Sequence, residues 1–295
     1  MRPRSLSTAV AVAGLLAVSD GLAAQQRSVF QVETEGVTVT VAVRDGNSPV
    51  AGLRAADFEL RDNGVRQAIQ TLSVETLPID VTLLLDLSGS VEGQRLERLK
   101  YSVGETTQLL RKEDRLRLLA VQHTLHEVLP FQPGGSRPPV NSLSAAGGTS
   151  LYDGLIAAMI RVPDLDRRQL IIAYTDGQDT ISISPPDAVK TMAGYADAVV
   201  ELVVPTVRQP GSSKPDPVPA ATILSDLARR TGGQLFMMDY ADRITDAFKQ
   251  AIDEFRTSYV LRYTPAGVAH TGWHELDVTV PGKTYEIRAR KGYGG

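Results

Sequence analysis

From Ile79 onwards, short apolar runs alternate with amphipathic stretches, and this alternation restricts the fold more than any other feature of the sequence. The runs are nearly continuous in Val, Ile and Leu, as is typical of strands buried on both faces of a parallel sheet. They are Ile79–Leu85, Leu116–Val121, Leu170–Tyr174, Ala198–Val204 and Leu235–Met238. The stretches between them carry apolar residues at helical spacing. The pattern predicts an α/β domain over residues 77–257, with an open, mostly parallel, Rossmann-like sheet and helices on both faces.

Two segments with period-two alternation flank this region, residues 25–76 before it and residues 258–295 after it. The first contains Val37–Val43, then Phe58–Arg61 and a return strand over Val65–Val74. Each segment is too short to bury a core of its own. We therefore expect the N-terminal and C-terminal β segments to pair into one β-sandwich, with Trp273 in its core and the α/β domain inserted between them.

Residues 1–24 have the pattern of a secretory signal peptide. Arg2 and Arg4 precede the short apolar run Ala9–Val18, and Gly21–Ala24 supplies small residues for cleavage. The run is shorter than the roughly 20 apolar residues that span a bilayer, and no later run is longer. The sequence thus predicts an exported protein, periplasmic or extracellular, without a membrane span after cleavage. An uncleaved anchor or a disordered tail is the alternative interpretation.

Composition excludes several classes of site. The chain contains 0 Cys, which excludes disulfides, thiolate zinc sites, iron–sulfur clusters and a Cys nucleophile. Its formal net charge of -3 gives no electrostatic reason to bind nucleic acid. Its 4 His have no metal-ligand spacing, so we expect them at the surface or in packing. The core, or a bound ion, must stabilise the fold.

Three loops at the carboxyl ends of predicted strands carry oxygen-bearing side chains. Asp86, Ser88 and Ser90 follow the first strand of the α/β domain, Thr149 precedes a helix, and Asp176 follows the strand that ends at Tyr174. Parallel strands bring such loops to one edge of the sheet. Carboxylate and hydroxyl oxygens suit Mg²⁺, Mn²⁺ and Ca²⁺. The sequence therefore predicts a divalent-cation site here, with Asp179 nearby as a solvated loop carboxylate.

In this order and setting, the motifs DLSGS, GGT and TDG resemble the metal-ion-dependent adhesion site of the von Willebrand factor type A domain, D-x-S-x-S, then T, then D. The resemblance implies that Ser88, Ser90 and Thr149 bind the ion through their hydroxyls. It implies that Asp86 and Asp176 act largely through bound waters, and that a partner's carboxylate takes the remaining coordination position.

The flanking segments have a second, narrower resemblance, to a bacterial group of exported proteins related to this family. It is carried by Asp57–Leu60 and Asn63-Gly64 before the domain, and by Tyr259–Pro265 and Arg288–Tyr293 after it.

The predicted function is an exported, cation-dependent protein-binding or adhesion module. The cation is Mg²⁺, with Mn²⁺ or Ca²⁺ as alternatives, and the partner is an unidentified protein with an exposed Asp or Glu. We expect specificity to come from the loops His126–Asn141, Thr180–Asp187 and Gln209–Pro219. A metal-assisted hydrolase and an ion that only stabilises loops are the alternatives. The chain has no GxSxG, HExxH or P-loop motif, so no catalytic residue is predicted.

Overall fold

The computed structural model describes residues 36–46, 48–74, 77–160, 164, 166–206, 218–238 and 243–295. The predicted signal peptide and most of the loop Gln209–Pro219 lie outside the described residues. A search of the described helices finds none with both the length and the apolar character needed to cross a membrane.

Fifteen strands and five α-helices are described. In chain order the strands are β1 (Val37–Asp45), β2 (Ser48–Pro49), β3 (Glu59–Asp62), β4 (Val65–Gln67), β5 (Thr71–Val74), β6 (Ile79–Asp86), β7 (Arg115–Val121), β8 (Leu125–Pro133), β9 (Arg168–Tyr174), β10 (Ala198–Pro205), β11 (Leu235–Met238), β12 (Tyr259–Tyr263), β13 (Trp273–Thr279), β14 (Glu286–Ala289) and β15 (Gly292–Gly294). The helices are α1 (Gln94–Gln108), α2 (Leu151–Met159), α3 (Pro186–Tyr195), α4 (Ala221–Thr231) and α5 (Ile244–Thr257).

The central sheet has the strand order β11-β10-β9-β6-β7-β8, and all neighbours are parallel except β7 and β8. Every residue of β6, β9 and β10 is buried, which explains why these strands read as continuous apolar runs. Helices α1 and α5 pack on one face, and α2, α3 and α4 pack on the other. The predicted fold class, an open and mostly parallel sheet covered on both faces, is confirmed.

Strands from both ends of the chain form the sandwich. One antiparallel sheet has the order β14-β1-β12-β5 with β2 at the side of β1, and the other has the order β15-β13-β3-β4. Their inner faces share one core of buried residues that includes Val39, Leu60, Leu261 and Leu276. The chain leaves the sandwich after β5, forms the α/β domain and returns to the sandwich at β12. Strands β5 and β12 are hydrogen-bonded neighbours.

Three local predictions are wrong. The segment Leu125–Pro133, expected as part of a loop, is the antiparallel edge strand β8, whose exposed residues give it no apolar run. The expected return strand Val65–Val74 is divided into β4 and β5, which belong to different sheets. Trp273 is 47% exposed, because the alternation in β13 directs His274 inward instead.

Helix α2 packs so closely on the sheet that Gly154 cannot be replaced without cost. A Cβ at this position would overlap the buried side chain of Val121 on β7. Glycine to alanine normally stabilises a helix by about 0.5–1 kcal/mol, but overpacking a core costs about 1–3 kcal/mol. We expect Gly154→Ala to lower the free energy of unfolding by about 1 kcal/mol or more, as measured by urea denaturation.

Gly104 in α1 is the matched control, since a Cβ there would meet no atom within 4 Å. Gly104→Ala should raise the free energy of unfolding by about 0.5–1 kcal/mol. If Gly154→Ala raised the free energy of unfolding as Gly104→Ala should, the close approach of α2 to β7 would be disproved.

Candidate metal centre

The register of the parallel sheet sets the position of the site. Leu85 on β6 lies beside Tyr174 on β9. Strand β9 ends at Tyr174, and β6 ends one residue after Leu85, at Asp86. Asp86 and Thr175 are therefore neighbours at the carboxyl edge, and the Thr175 hydroxyl donates to Asp86 Oδ2 at 2.9 Å. The sequence analysis did not identify Thr175 as a site residue. It took only Asp176 from the TDG motif, in which Thr175 comes directly before it.

The turn after β6 places its hydroxyls together. The backbone N–H of Ser88 donates to Asp86 Oδ1 at 3.0 Å, and the Oγ atoms of Ser88 and Ser90 are 3.0 Å apart. The guanidinium of Arg95 donates to the Ser90 carbonyl at 3.0 Å and does not engage the Ser90 hydroxyl, which faces that of Ser88. Asp86 and Ser88 are buried, whereas Ser90 is exposed.

The loop that carries Thr149 lies directly against this turn. Gly89 N–H donates to the Gly147 carbonyl at 3.0 Å, and Ala146 N–H donates to the Leu87 carbonyl at 2.9 Å. Gly147 has a φ of 73° and packs its Cα on the ring of His123, so only glycine fits this contact. The backbone contacts thus bring the loop before α2 to the turn after β6.

Thr149 itself is held by the loop that follows β9. Its N–H donates to Thr180 Oγ1 at 2.8 Å, and its carbonyl accepts from Thr180 N–H at 2.9 Å. The remaining candidate, Asp176, is partly buried, and its Oδ1 accepts from Gln178 N–H at 3.0 Å. The structure therefore places all five candidate residues on three adjoining loops. Their ligation of an ion stays a prediction.

The electrostatics of the site favour a cation. Burial raises the pKa of Asp86, and the negative charge of Asp176 raises it further, against the lowering effect of the hydrogen bonds from Ser88 and Thr175. No ion pair with Asp86 is found within the described ranges. A buried carboxylate without a counter-charge is costly, and a bound cation removes that cost.

Tyr174 adds a second indication. Its hydroxyl is buried and has no hydrogen-bond partner in the part of the chain that the structure describes. Burial raises its pKa to about 12, and the charges of Asp86 and Asp176 raise it while that of Arg95 lowers it. The Tyr174 hydroxyl is thus an unsatisfied buried donor whose ionisation is opposed by the charges of both site carboxylates.

The donor set indicates which cations fit. Within the described residues no group of three or more His, Cys, Asp or Glu could hold a metal. The candidates are instead two carboxylates and three hydroxyls, all hard oxygen donors. This set suits Mg²⁺, Mn²⁺ or Ca²⁺ and does not suit metals that prefer thiolate or imidazole.

Asp179 is not the solvated loop carboxylate that the sequence predicts. Its Oδ1 accepts from the N–H of Tyr152 at 3.2 Å and from the Ser182 hydroxyl. In return, Asp153 of α2 accepts from the N–H groups of Ile183 and Ser184 at 2.8 and 2.9 Å. The two aspartates tie the loop after β9 to the first turn of α2. Local sequence could not reveal the contacts between this loop and α2, because the two segments are about 30 residues apart in the chain.

The four histidines take no part in the site as candidate ligands. His123 and His126 are exposed, and His270 is exposed as well. His274 is buried in β13, where its Nδ1 lies 2.8 Å from Asp62 Oδ1 and its ring stacks on Tyr293.

Comparison with known sequences gives partial matches. No family model matches the chain. A stretch of 109 residues, 35% of this chain, is 31% identical to an uncharacterized protein of Synechocystis and covers 26% of it. Another of 130 residues, 39% of this chain, is 25% identical to the inter-alpha-trypsin inhibitor heavy chain H3 of Pongo abelii and covers 15% of it. The chain thus matches about a quarter or less of the length of these curated relatives.

Solved structures similar to the chain include von Willebrand factor type A domains, the family that the DLSGS, GGT and TDG motifs resemble. One of them is the von Willebrand factor type A protein from Catenulispora acidiphila. It is 12% identical, with a TM-score of 0.49, and the similarity covers 88% of this chain and 72% of that one.

Proposed function

We propose that this protein is an exported, divalent-cation-dependent protein-binding module, in which an ion at the carboxyl edge of the central sheet accepts an acidic group of a partner protein. The observation that carries the proposal is the buried Asp86 carboxylate, which has no cationic partner among the described residues and lies where three loops with hydroxyl side chains adjoin.

The protein's own residues would hold the ion in a way that leaves it attractive to an outside anion. Ser88, Ser90 and Thr149 would supply neutral hydroxyl oxygens, and Asp86 and Asp176 would orient bound waters. Bound Mg²⁺ supplies a positive charge that prefers oxygen ligands and keeps exchangeable waters. Because few of the direct ligands are anionic, a carboxylate of a partner can replace a water.

The surface beside the site supports a proteinaceous partner. Ile183 is 95% exposed, although its backbone is fixed by Asp153, and Ile181 is 41% exposed. The N–H of Ile181 lies 3.2 Å from the carbonyl of Thr149, so this apolar surface adjoins a candidate ligand. Together these two exposed side chains give the partner an apolar surface to contact next to the proposed ion. The proposed partner segment carries an Asp or Glu next to an apolar residue.

The experiment is an affinity pull-down from an envelope or extracellular fraction, performed in parallel with Mg²⁺ and with EDTA. We expect one or more proteins to be retained with Mg²⁺ and lost with EDTA. Thr149→Ala should reduce the retained amount at least about tenfold, because it removes a proposed hydroxyl ligand from the centre of the contact. Circular dichroism should show the same fold for variant and wild type.

Thr191→Ala is the matched control, since Thr191 is exposed on α3 and its hydroxyl donates to the Asp187 carbonyl within the same helix. It should bind as the wild type does. Retention that persists in EDTA and in Thr149→Ala would overturn the proposal. A thermal shift with Mg²⁺ but no carboxylate-dependent partner would favour an ion that only stabilises the loops.

A further inference from the structure

Three segments beside the candidate ion site contain no charged residue, although 22% of the chain is charged. No Asp, Glu, Lys or Arg occurs in Gln122–His126, Ser142–Ser150 or Thr180–Pro185. The first covers the turn between β7 and β8, the second is the loop before α2, and the third belongs to the loop after β9. Charged residues ordinarily occupy much of a protein's exposed surface, so three neutral segments at one edge of the sheet form an unusual patch.

The three segments form one continuous surface because two glycines let them approach each other closely. A Cβ on Gly147 would overlap the imidazole ring of His123. A Cβ on Gly148 would lie 2.7 Å from the hydroxyl oxygen of Thr180 and 3.5 Å from a methyl carbon of Ile181. The loop before α2 is therefore contacted by the turn between β7 and β8 and also by the loop after β9.

This neutral surface, as we name the three segments together, presents apolar side chains to solvent. Ile183 is 95% exposed, Ile181 is 41% exposed and Leu125 is 37% exposed. Thr149, the candidate ligand that belongs to the same surface, is only 2% exposed. A ligand that reaches Thr149 must therefore pass between side chains that are apolar or neutral.

The charged residues that border the neutral surface are already engaged or offset within the protein. Glu127 pairs with Arg117 at 2.7 Å, and Asp179 accepts hydrogen bonds from α2 and from its own loop. At the turn after β6, Glu92 and Arg95 contribute one charge of each sign. Apart from the ion site itself, little net charge remains here to attract or orient a partner at long range.

We propose that the neutral surface binds a protein segment in which a single Asp or Glu is flanked on both sides by uncharged residues, apolar ones facing Ile181 and Ile183. The inference rests on the proposed function, because the ion supplies the contact for the acidic group. Charged residues in the flanks would lose hydration without gaining an opposite charge, and this cost excludes them. The contact resembles the centre of a protein interface, where charged residues are depleted.

Selection from a library of short random peptides with Asp fixed at the centre, performed on the full chain in Mg²⁺, tests the proposal. Among peptides that EDTA releases, we expect the flanks to be enriched in Ile, Leu, Val, Ser and Gly and depleted in Asp, Glu, Lys and Arg. Charged flanks in these peptides would overturn the inference and leave the proposed function intact. If EDTA released no selected peptide, both would be overturned.

The salt dependence of one selected peptide is a second test. At saturating Mg²⁺, its affinity should fall by less than about threefold between about 50 mM and about 500 mM NaCl, because a contact without charged flanks offers little long-range attraction to screen. A larger fall would show that charge complementarity contributes to binding and would contradict the inference.

A variant of the neutral surface locates the contact of the flanks. Ile183→Ser should weaken the selected peptide about tenfold, because it removes the most exposed apolar side chain of the surface. Ile160→Ser is the matched control, since Ile160 is 59% exposed and follows the end of α2 that is remote from Thr149. It should bind as the wild type does. Wild-type affinity in Ile183→Ser would show that the flanks do not contact this surface.

Discussion

Replacing Asp86 by Asn should weaken cation binding while stabilising the cation-free protein. The first effect is expected at about 10–100-fold in affinity for Mn²⁺, the range for groups that orient metal-bound water, and is measured by isothermal titration calorimetry. The second follows because the buried Asp86 carboxylate lacks a cationic partner among the described residues. Asparagine is neutral and retains an oxygen that can accept from Ser88 N–H.

The pH dependence of this stabilisation has a defined sign. The pKa of Asp86 is raised above its ordinary value of 3.8 in the folded protein. The wild type therefore has its full stability below pH 3.8, where the group is protonated in both states, and loses stability as the pH rises through the raised pKa. The advantage of Asp86→Asn should be present at neutral pH and vanish in acid.

Asp187→Asn is the control for Asp86→Asn, since the Asp187 side chain is 88% exposed and, among the residues that the structure describes, forms an ion pair with Lys190 alone. It should change neither Mn²⁺ affinity nor stability measurably. Wild-type affinity for Mn²⁺ in Asp86→Asn would argue against any role of this carboxylate in ion binding.

Glu201→Gln should stabilise the protein at neutral and alkaline pH. Glu201 is buried on β10, and burial raises its pKa from 4.5 to about 7, although the N–H of Gln234 and the charge of Arg288 favour the ionised form. Wild-type stability is thus complete below pH 4.5 and falls as the pH rises towards 7. Relative to wild type, the variant should gain up to about 3 kcal/mol above pH 7 and nothing below pH 4.5.

Urea denaturation of Glu201→Gln and wild type at several pH values between 4 and 8 measures this difference, and taking the difference removes the effects of other titrating groups. Glu97→Gln is the control, because the Glu97 side chain is 71% exposed and its one ion pair within the described part of the chain is with Lys100. A pH-independent difference for Glu201→Gln would show that the pKa of Glu201 is the same in the folded and the unfolded protein and would contradict the prediction.

The predictions from sequence succeeded where one chemical property determined the outcome. Burial on both faces demands apolar residues at every position, so β6, β9 and β10 were evident as strands. The positions of Asp86 and Asp176 follow from the rule that parallel strands end at a common edge. Their exact contacts, such as the hydrogen bond from Thr175 to Asp86, depend on the register of β6 and β9. The loop of Thr149 comes after the antiparallel strand β8 and is held at that edge by backbone contacts with the turn after β6.

The failures involve residues whose environment is set by distant segments. Strand β8 pairs with only β7 at the sheet edge, so its exposed residues carry no hydrophobic pattern. Asp179 reads as a surface carboxylate because the N–H of Tyr152, which donates to it, belongs to α2 and meets it only in the folded chain. Trp273 was expected in the core because tryptophan is large and apolar. The alternation along β13 instead turns His274 inward and leaves Trp273 on the outer face.

The sandwich imposes an order on folding during synthesis. Strand β1 pairs with β12 and β14, which are made only after the whole α/β domain. Until β12 and β14 have been made, the apolar face of β1 is exposed and can associate with other chains. Contacts between such distant segments also slow folding, because a long loop must close before they form. The inserted domain can assemble earlier from its own neighbouring strands, and the sandwich closes around its two connections last.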